Sequence, residues 1–251
     1  MIEIGPVERA IVNKVASGEK VHFSLIDPEK VDDVDSLEKV ANDLASIGTD
    51  AFLVGGSLGV TQHDVEEVVK ALKRSGLPVI LFPGSIAGIA RNADAILFLS
   101  LLNSEDLYYV VGAQMSAAPI IYRLGLEAIP TAYIIVGYGG AAGFVGRARP
   151  IPVDKPELCV AYVLAAKYMG MRFIYLEAGS GAPQPVPLQM VSAAKSIAKD
   201  RVLIVGGGIK DGRIAAKIAH AGADIIVTGT VIETNLERAK EIIKALKSLR
   251  R

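Results

Sequence analysis

The sequence predicts a single (β/α)8 barrel, the TIM-barrel class of α/β folds, and three observations carry this prediction. Short apolar runs alternate with longer segments of helical periodicity along the whole chain, which is typical of a parallel sheet covered by helices on both faces. About eight such runs are present, and eight strands close a barrel. The last two runs end in glycines, as in barrels that bind phosphate there. We therefore assign residues 1–251 to one domain.

The predicted elements follow one another in strict alternation. The strands are expected at 21–27, 51–55, 79–82, 95–99, 131–136, 173–177, 202–205 and 225–228, and the helices at 7–16, 36–47, 64–75, 105–117, 156–169, 187–198, 212–221 and 236–249. The extra N-terminal helix precedes the first strand, so it should cover the bottom or side of the barrel. Segment 84–92 is short and contains two glycines, which predicts an abbreviated or irregular third helix. A doubly wound open sheet is the alternative, because alternation alone does not prove closure.

The composition excludes several classes of protein. Basic and acidic residues number 27 each, so no overall positive field would gather nucleic acid or an anionic membrane. The one cysteine, Cys159, lies in an apolar run and is expected to be a buried thiol, which favours a cytoplasmic location. No signal peptide is recognisable, and no apolar stretch reaches the roughly 20 residues that span a bilayer.

The ends of strands 7 and 8 predict a phosphate site. Strand 7 is followed by Gly206-Gly207-Gly208-Ile209 and strand 8 by Thr228-Gly229-Thr230. Missing side chains allow a phosphate to approach and to pair with main-chain N–H groups. The alternative is that these glycines only form tight turns between strands and helices.

Strand 6 ends with a carboxylate in the segment Tyr175-Leu176-Glu177-Ala178-Gly179-Ser180-Gly181. Reacting groups in α/β barrels sit at the carboxyl ends of strands, so Glu177 should lie near the phosphate site. Glu177 is therefore the candidate catalytic residue, either as a base or as a group that orients a substrate hydroxyl. Tyr175 should share its face. The alternative is a helix-capping or surface acid.

Strands 1 and 2 end in oxygen ligands that suit Mg²⁺. Asp27 offers a carboxylate and Ser57 a hydroxyl on neighbouring strands. Asp27 could instead cap a turn before Pro28. The acidic run 32–35 is interpreted as a helix N-terminus, and the scattered histidines His22, His63 and His220 argue against a zinc site.

The segment 137–150 is rich in glycine and carries Arg147 and Arg149. Such a loop is mobile in composition and could close over an anionic group. An exposed charged loop without a ligand is an equal alternative.

Taken together, these strand ends resemble the archaeal geranylgeranylglyceryl phosphate synthases. The motifs that carry the resemblance are Asp27-Pro28, Val54-Gly55-Gly56-Ser57, Phe82-Pro83-Gly84, Leu101-Leu102-Asn103-Ser104, Tyr175 to Gly181, Gly206 to Ile209 and Thr228 to Thr230. They span nearly the whole chain, and the segment Tyr175 to Gly181 is the most specific. The abbreviated third helix is also similar to the family.

The resemblance implies a prenyltransferase of lipid biosynthesis that forms the first ether bond of archaeal lipids. Its substrates would be sn-glycerol 1-phosphate and geranylgeranyl diphosphate, it would release pyrophosphate and depend on Mg²⁺, and its product would pass to the membrane. The glycerol 1-phosphate ligands implied by the family motif are Tyr175, Leu176, Glu177, Ala178, Gly179, Ser180, Gly181, Gly206, Gly207, Thr228 and Gly229, and the metal ligands are Asp27 and Ser57.

The resemblance leaves several properties open. Bacterial relatives use a longer prenyl donor, and Tyr108 and Tyr109 are candidates for the residues that set donor length, with ordinary packing as the alternative. A homo-oligomer is implied, with Phe144 as a candidate contact. A phosphate-binding isomerase or lyase with Asp27 as its second acid or base, and a non-catalytic phosphate-binding protein, remain alternative functions.

Overall fold

Eight parallel strands pair in sequence order, and the eighth returns to the first, so the sheet is a closed barrel. This computed structural model describes residues 4–249. The strands are β1 Val21–Ile26, β2 Ala51–Val54, β3 Val79–Leu81, β4 Ala95–Leu101, β5 Glu127–Ile135, β6 Phe173–Glu177, β7 Val202–Gly206 and β8 Ile225–Thr228. Pairing of Val21 with Ile225 and of Ser24 with Thr228 closes the ring. The predicted barrel is confirmed, and the open sheet is excluded.

The helices surround this sheet. They are α1 Pro6–Ala16, α2 Val34–Ile47, α3 Gln62–Lys73, α4 Ala113–Leu124, α5 Gly140–Val145, α6 Pro156–Tyr168, α7 Leu188–Ile197, α8 Gly212–His220, α9 Thr230–Thr234 and α10 Leu236–Lys247. Only the short 3-10 turn Ile86–Gly88 lies between β3 and β4, which confirms the abbreviated third helix. Within residues 4–249, no helix is both long and apolar enough to cross a membrane.

Helix α1 closes the bottom of the barrel. Its first N–H groups, those of Val7 and Glu8, donate to the Glu127 carboxylate at 2.8 and 2.7 Å. Val7 and Ile11 pack against the apolar residues inside the barrel. Glu8 is buried and pairs with Arg172 next to β6. The predicted N-terminal helix is therefore confirmed and is anchored at its N-terminus and along its apolar face.

The alternation of side chains along the strands separates two kinds of core. Phe23, Tyr133 and Tyr175 belong to the cluster inside the barrel. Phe52 and Leu176 belong to the clusters between strands and helices. Successive residues of a strand point to opposite faces, so this parity decides which residues reach the cavity at the top of the barrel.

The largest differences from the predicted bounds are at β5 and at the helix predicted over 105–117, where a π-helical segment, Tyr108–Gly112, precedes α4. Helix α4 continues to Leu124 through Pro119, because this side of the helix is exposed and water can satisfy the carbonyl that proline leaves unpaired. Strand β5 begins at Glu127, before the predicted residue 131, because β4 pairs with it along its full length from Ala95 to Leu101. The partner strand outweighs the local disfavour of Pro130 for a sheet.

Candidate active site

Two cavities open at the carboxyl ends of the strands and meet each other. The polar cavity, of about 360 Å³, is lined by Glu177 and by the glycines that follow β7 and β8. The apolar cavity, of about 120 Å³, lies between the end of β4 and helix α4. Three residues line both cavities: Ser57, Tyr133 and Ala142. The site therefore offers a polar and an apolar compartment with a shared boundary.

Glu177 lies in the wall of the polar cavity with its carboxylate almost fully buried, at 6% exposure. Its Oε1 accepts a hydrogen bond from the Gly179 N–H at 2.6 Å, and the hydroxyl groups of Tyr175 and Tyr133 also donate to the carboxylate. Burial raises the pKa of Glu177 above its ordinary value, although these three hydrogen bonds oppose the shift. A raised pKa makes this carboxylate a better proton acceptor than an exposed one.

An aromatic cluster supports Glu177 from below. Phe82 stacks on Tyr175 with ring centroids 5.5 Å apart, and Tyr133 contacts both rings edge-on at 5.6 and 5.2 Å. Burial raises the pKa of both tyrosines well above 10, so their hydroxyls stay protonated and act as donors. Sequence reasoning missed Tyr133 and Phe82. The available signal was their position at the end of strand 3 and on strand 5. Only the register, which pairs Tyr133 with Tyr175, brings Tyr133 to Glu177.

The glycines after β7 are required by neighbouring protein groups. Gly207 has φ +83°, and a Cβ there would lie 2.5 Å from Glu177 Oε1 and 2.6 Å from the Gly179 nitrogen. A Cβ on Gly206 would lie 2.3 Å from the Tyr175 hydroxyl. A side chain at either position would displace the groups that hold Glu177, whether or not a phosphate is bound.

Gly229, after β8, is in a different situation. Its φ of −127° is not left-handed, and a Cβ there would make one close contact, 3.3 Å from the end of the Leu25 side chain. Leu25 lines the same cavity and is a flexible neighbour. A small side chain at Gly229 would require a slight shift of Leu25 but would not touch Glu177.

Thr228 contributes its main chain to the site. Its hydroxyl lies on the helix-facing side of the barrel, 2.9 Å from His22 Nε2, and the other ring nitrogen of His22 lies 2.9 Å from the Thr49 hydroxyl. Burial lowers the pKa of His22 to about 3, so the ring is neutral. The histidine is a structural group behind the cavity wall.

The segment after β6 divides between core and cavity. Leu176 and Ala178 are buried in the layer between strands and helices and do not line either cavity. Ser180 and Gly181 line the polar cavity. The Ser180 hydroxyl lies 3.0 Å from that of Thr230, so the loops after β6 and β8 are joined across the rim.

Asp27 lies beside Gly56, whereas the next residue, Ser57, lines both cavities. Asp27 caps the 3-10 turn Pro28–Lys30 by accepting the Glu29 N–H at 3.2 Å, and burial raises the pKa of its carboxyl. A Cβ on Gly56, the residue before Ser57, would lie 2.3 Å from Asp27 Oδ1. Among residues 4–249, no group of three or more His, Cys, Asp or Glu side chains is placed to hold a metal. Any metal here would need further ligands from water or substrate.

The segment 137–150 is tied down along its length. It contains α5, and its backbone is held by hydrogen bonds from Ser104 Oγ to the Gly146 carbonyl, from the Arg149 N–H to the Asn103 carbonyl and from the Gly139 N–H to the Ala178 carbonyl. The Arg147 side chain is exposed and lies 3.6 Å from Asp106. Neither Arg147 nor Arg149 lines the two cavities, which favours the alternative of an exposed charged loop.

The chain is similar to one sequence family and to solved structures over nearly its full length. Residues 14–247 match the PcrB family. It is 53% identical to the geranylgeranylglyceryl phosphate synthase of Sulfolobus acidocaldarius, covering 98% of this chain and 96% of that protein, and 51% identical to the one from Metallosphaera sedula, covering 98% of each. The structure of (S)-3-O-geranylgeranylglyceryl phosphate synthase from Thermoplasma acidophilum in complex with sn-glycerol-1-phosphate superimposes with a TM-score of 0.92 at 39% identity, covering 98% and 100% of the two chains.

Proposed function

The chain belongs to the PcrB family, and from this membership and the two joined cavities we propose that it is a prenyltransferase that joins sn-glycerol 1-phosphate to geranylgeranyl diphosphate. The bond formed is an ether between a glycerol oxygen and the first carbon of the prenyl chain. The bond broken joins that carbon to the diphosphate, which leaves as pyrophosphate. The observation that carries the proposal is the meeting of a glycine-lined polar cavity and an apolar cavity at Ser57 and Tyr133.

The two substrates are assigned to the two cavities by their chemistry. Glycerol phosphate needs hydrogen-bond donors and backbone approach, which the polar cavity provides at Gly207, Gly208 and Gly229. A prenyl chain needs an apolar wall, which Ile96, Leu101 and their neighbours provide in the apolar cavity. The solved relative from Thermoplasma acidophilum, which holds sn-glycerol-1-phosphate, supports the first assignment.

Glu177 is proposed as the group that accepts the glycerol hydroxyl proton. Loss of pyrophosphate from an allylic carbon leaves positive charge there, and the negative carboxylate stabilises this charge while it takes the proton of the attacking oxygen. The Gly179 N–H and two tyrosine hydroxyls fix the orientation of the carboxylate. Burial of the carboxylate, at 6% exposure, keeps water from competing with the glycerol hydroxyl.

Mg²⁺ is proposed as the cofactor, held by Asp27 and Ser57. The donor set of one carboxylate and one hydroxyl fits a cation that retains waters and binds substrate phosphates. The absence of a side chain on Gly56 leaves space against Asp27 Oδ1 that a Cβ would fill. When bound, the ion would neutralise the charge of the departing pyrophosphate.

A homo-oligomer is also proposed, because an apolar stripe runs along the helical segment 107–124, which consists of α4 and the π-helical turn Tyr108–Gly112 before it. Leu107, Val111, Met115 and Tyr122 recur at helical spacing and are 71%, 51%, 68% and 88% exposed. Phe144 on α5 is 86% exposed. Exposed apolar patches of this kind mark interfaces between protein subunits. Light scattering at working concentration tests the proposal, and a monomer would contradict it.

The transfer itself is tested by incubation with both substrates and Mg²⁺. We expect pyrophosphate release and a product whose mass is that of glycerol phosphate plus the geranylgeranyl group, less the hydrogen that is replaced. A phosphate-binding isomerase or lyase would consume glycerol phosphate or another sugar phosphate without pyrophosphate release. A donor-length series scored by product mass identifies the preferred prenyl chain.

A further inference from the structure

The glycine-lined polar cavity has a charge imbalance that its backbone donors do not remove. A glycerol phosphate bound there carries close to two negative charges at neutral pH, and Glu177 contributes a third when ionised. Main-chain N–H groups supply only partial positive charge. A cation from the protein would therefore strengthen phosphate binding substantially.

Two basic side chains line this cavity within residues 4–249: Lys210 and Arg238. Lys210 follows β7, and its Nζ donates to the Pro183 carbonyl at 3.0 Å in the loop after β6. Arg238 lies in the first turn of α10, beyond β8. Lys210 thus follows the glycines after β7, and Arg238 follows Gly229 after β8.

The guanidinium of Arg238 is unpaired among the described residues. No carboxylate in residues 4–249 lies within ion-pair distance of it. The neighbouring Glu237 binds Lys240 instead, at 2.9 Å. Its backbone N–H is held by the Asn235 side chain at 3.1 Å, which fixes the start of the helix beside the cavity. The Arg238 side chain is exposed and free to turn toward a ligand. Its planar fork of donors suits a phosphate group.

We propose that Arg238 is a phosphate-binding residue of this site, with Lys210, whose ammonium is already bound to the Pro183 carbonyl, as a second cation. The inference rests on the proposed function for the identity of the ligand, a phosphate monoester. Arg238 binds the phosphate from the solvent side while the glycine backbone binds it from the barrel side. It also attracts the anionic substrate over a distance that shrinks with salt, because the Debye length is about 8 Å at 0.15 M ionic strength.

The test is calorimetric titration of sn-glycerol 1-phosphate and of inorganic phosphate into wild type, Arg238→Gln, Lys210→Gln and the control Lys244→Gln. Lys244 is an exposed cation on the same helix that does not line the cavity. We expect Arg238→Gln to weaken binding of both anions by about fivefold or more, the scale of an exposed charge-assisted hydrogen bond, and Lys210→Gln by less. Lys244→Gln should bind as wild type does. Raising the salt concentration should weaken wild type more than Arg238→Gln.

Steady-state kinetics separates this role from damage to the fold. Arg238→Gln should raise the KM for glycerol phosphate and leave kcat and the KM for the donor near wild type, and Arg238→Lys should recover part of the affinity. Equal affinity of Arg238→Gln and wild type for both anions would overturn the proposal. If no prenyl transfer occurs with any donor but Arg238→Gln still weakens phosphate binding, the proposed function is wrong and the role of Arg238 stands.

Discussion

Replacing Glu177 by glutamine tests the centre of the proposed mechanism, because it removes the base and keeps the shape. The remaining oxygen can still accept the Gly179 N–H, which lies 2.6 Å from the carboxylate in wild type. The new amide group can donate to a tyrosine hydroxyl, which accepts as well as donates. No buried polar group is left without a partner, so the melting temperature should stay within a few degrees of wild type.

The expected loss is in turnover. Removal of a general base typically costs about 10²-fold to 10⁴-fold, which corresponds to roughly 3 to 5 kcal/mol added to the barrier. With both substrates saturating, kcat of Glu177→Gln should therefore fall at least about a hundredfold. Wild-type kcat should also fall as the pH drops through the raised pKa of Glu177, because the protonated acid accepts no proton. The variant should not show this decrease of kcat at low pH.

The assay is product formation followed by mass at saturating substrates between acid and neutral pH. Glu157→Gln, which changes an exposed carboxylate on α6, is the matched control and should behave as wild type. Turnover of Glu177→Gln within tenfold of wild type, with a correctly folded protein, would refute the base role and leave Glu177 as a positioning residue.

Four other changes have distinct expected results. Gly229→Ala adds a Cβ to the wall of the polar cavity and should raise the KM for glycerol phosphate severalfold. Its one close protein contact is Leu25 at 3.3 Å, so the KM for the donor should change little. Equal rises in both KM values would contradict the site assignment. Asp27→Asn should weaken Mg²⁺-dependent use of the donor and spare glycerol phosphate binding, and an unchanged Mg²⁺ titration would count against the metal site. Tyr108→Ala and Tyr109→Ala enlarge the apolar cavity that both side chains line and should shift the donor profile toward longer chains; an unchanged profile removes that residue from consideration. His22 is neutral when folded, with its pKa lowered to about 3, whereas the unfolded chain takes up a proton below about 6.5. The free energy of unfolding should therefore decrease as the pH is lowered from about 6.5 to about 3, by up to about 1.4 kcal/mol per pH unit. In denaturant unfolding series at different pH values, His22→Gln should show a weaker dependence of this free energy on pH.

The phosphate-site glycines show how far the sequence could go. Their clustering after strands 7 and 8 predicted a cavity with backbone access, and the structure places Gly207 and Gly229 in its wall. The sequence did not distinguish the two. Gly207 is required by Glu177 and Gly179 at 2.5 and 2.6 Å, so Gly207→Val would damage the proposed base as well as phosphate binding. The two glycines differ in their neighbours, which are Glu177 and Gly179 for Gly207 and Leu25 for Gly229. These neighbours lie far away in the chain, so the local sequence does not reveal them.

The sequence by itself determined the order and number of strands, the abbreviated third helix and the position of Glu177 at a strand end. These depend on periodicity and turn residues, which act over a few positions. Only the tertiary structure decided that Tyr133 meets Glu177 and that Phe82 packs on Tyr133. It also decided that the two cavities join and that Arg238 lines the polar one. These groups come from strands and helices far apart in the chain, and they meet because closure of the barrel fixes the register of every strand against its neighbours.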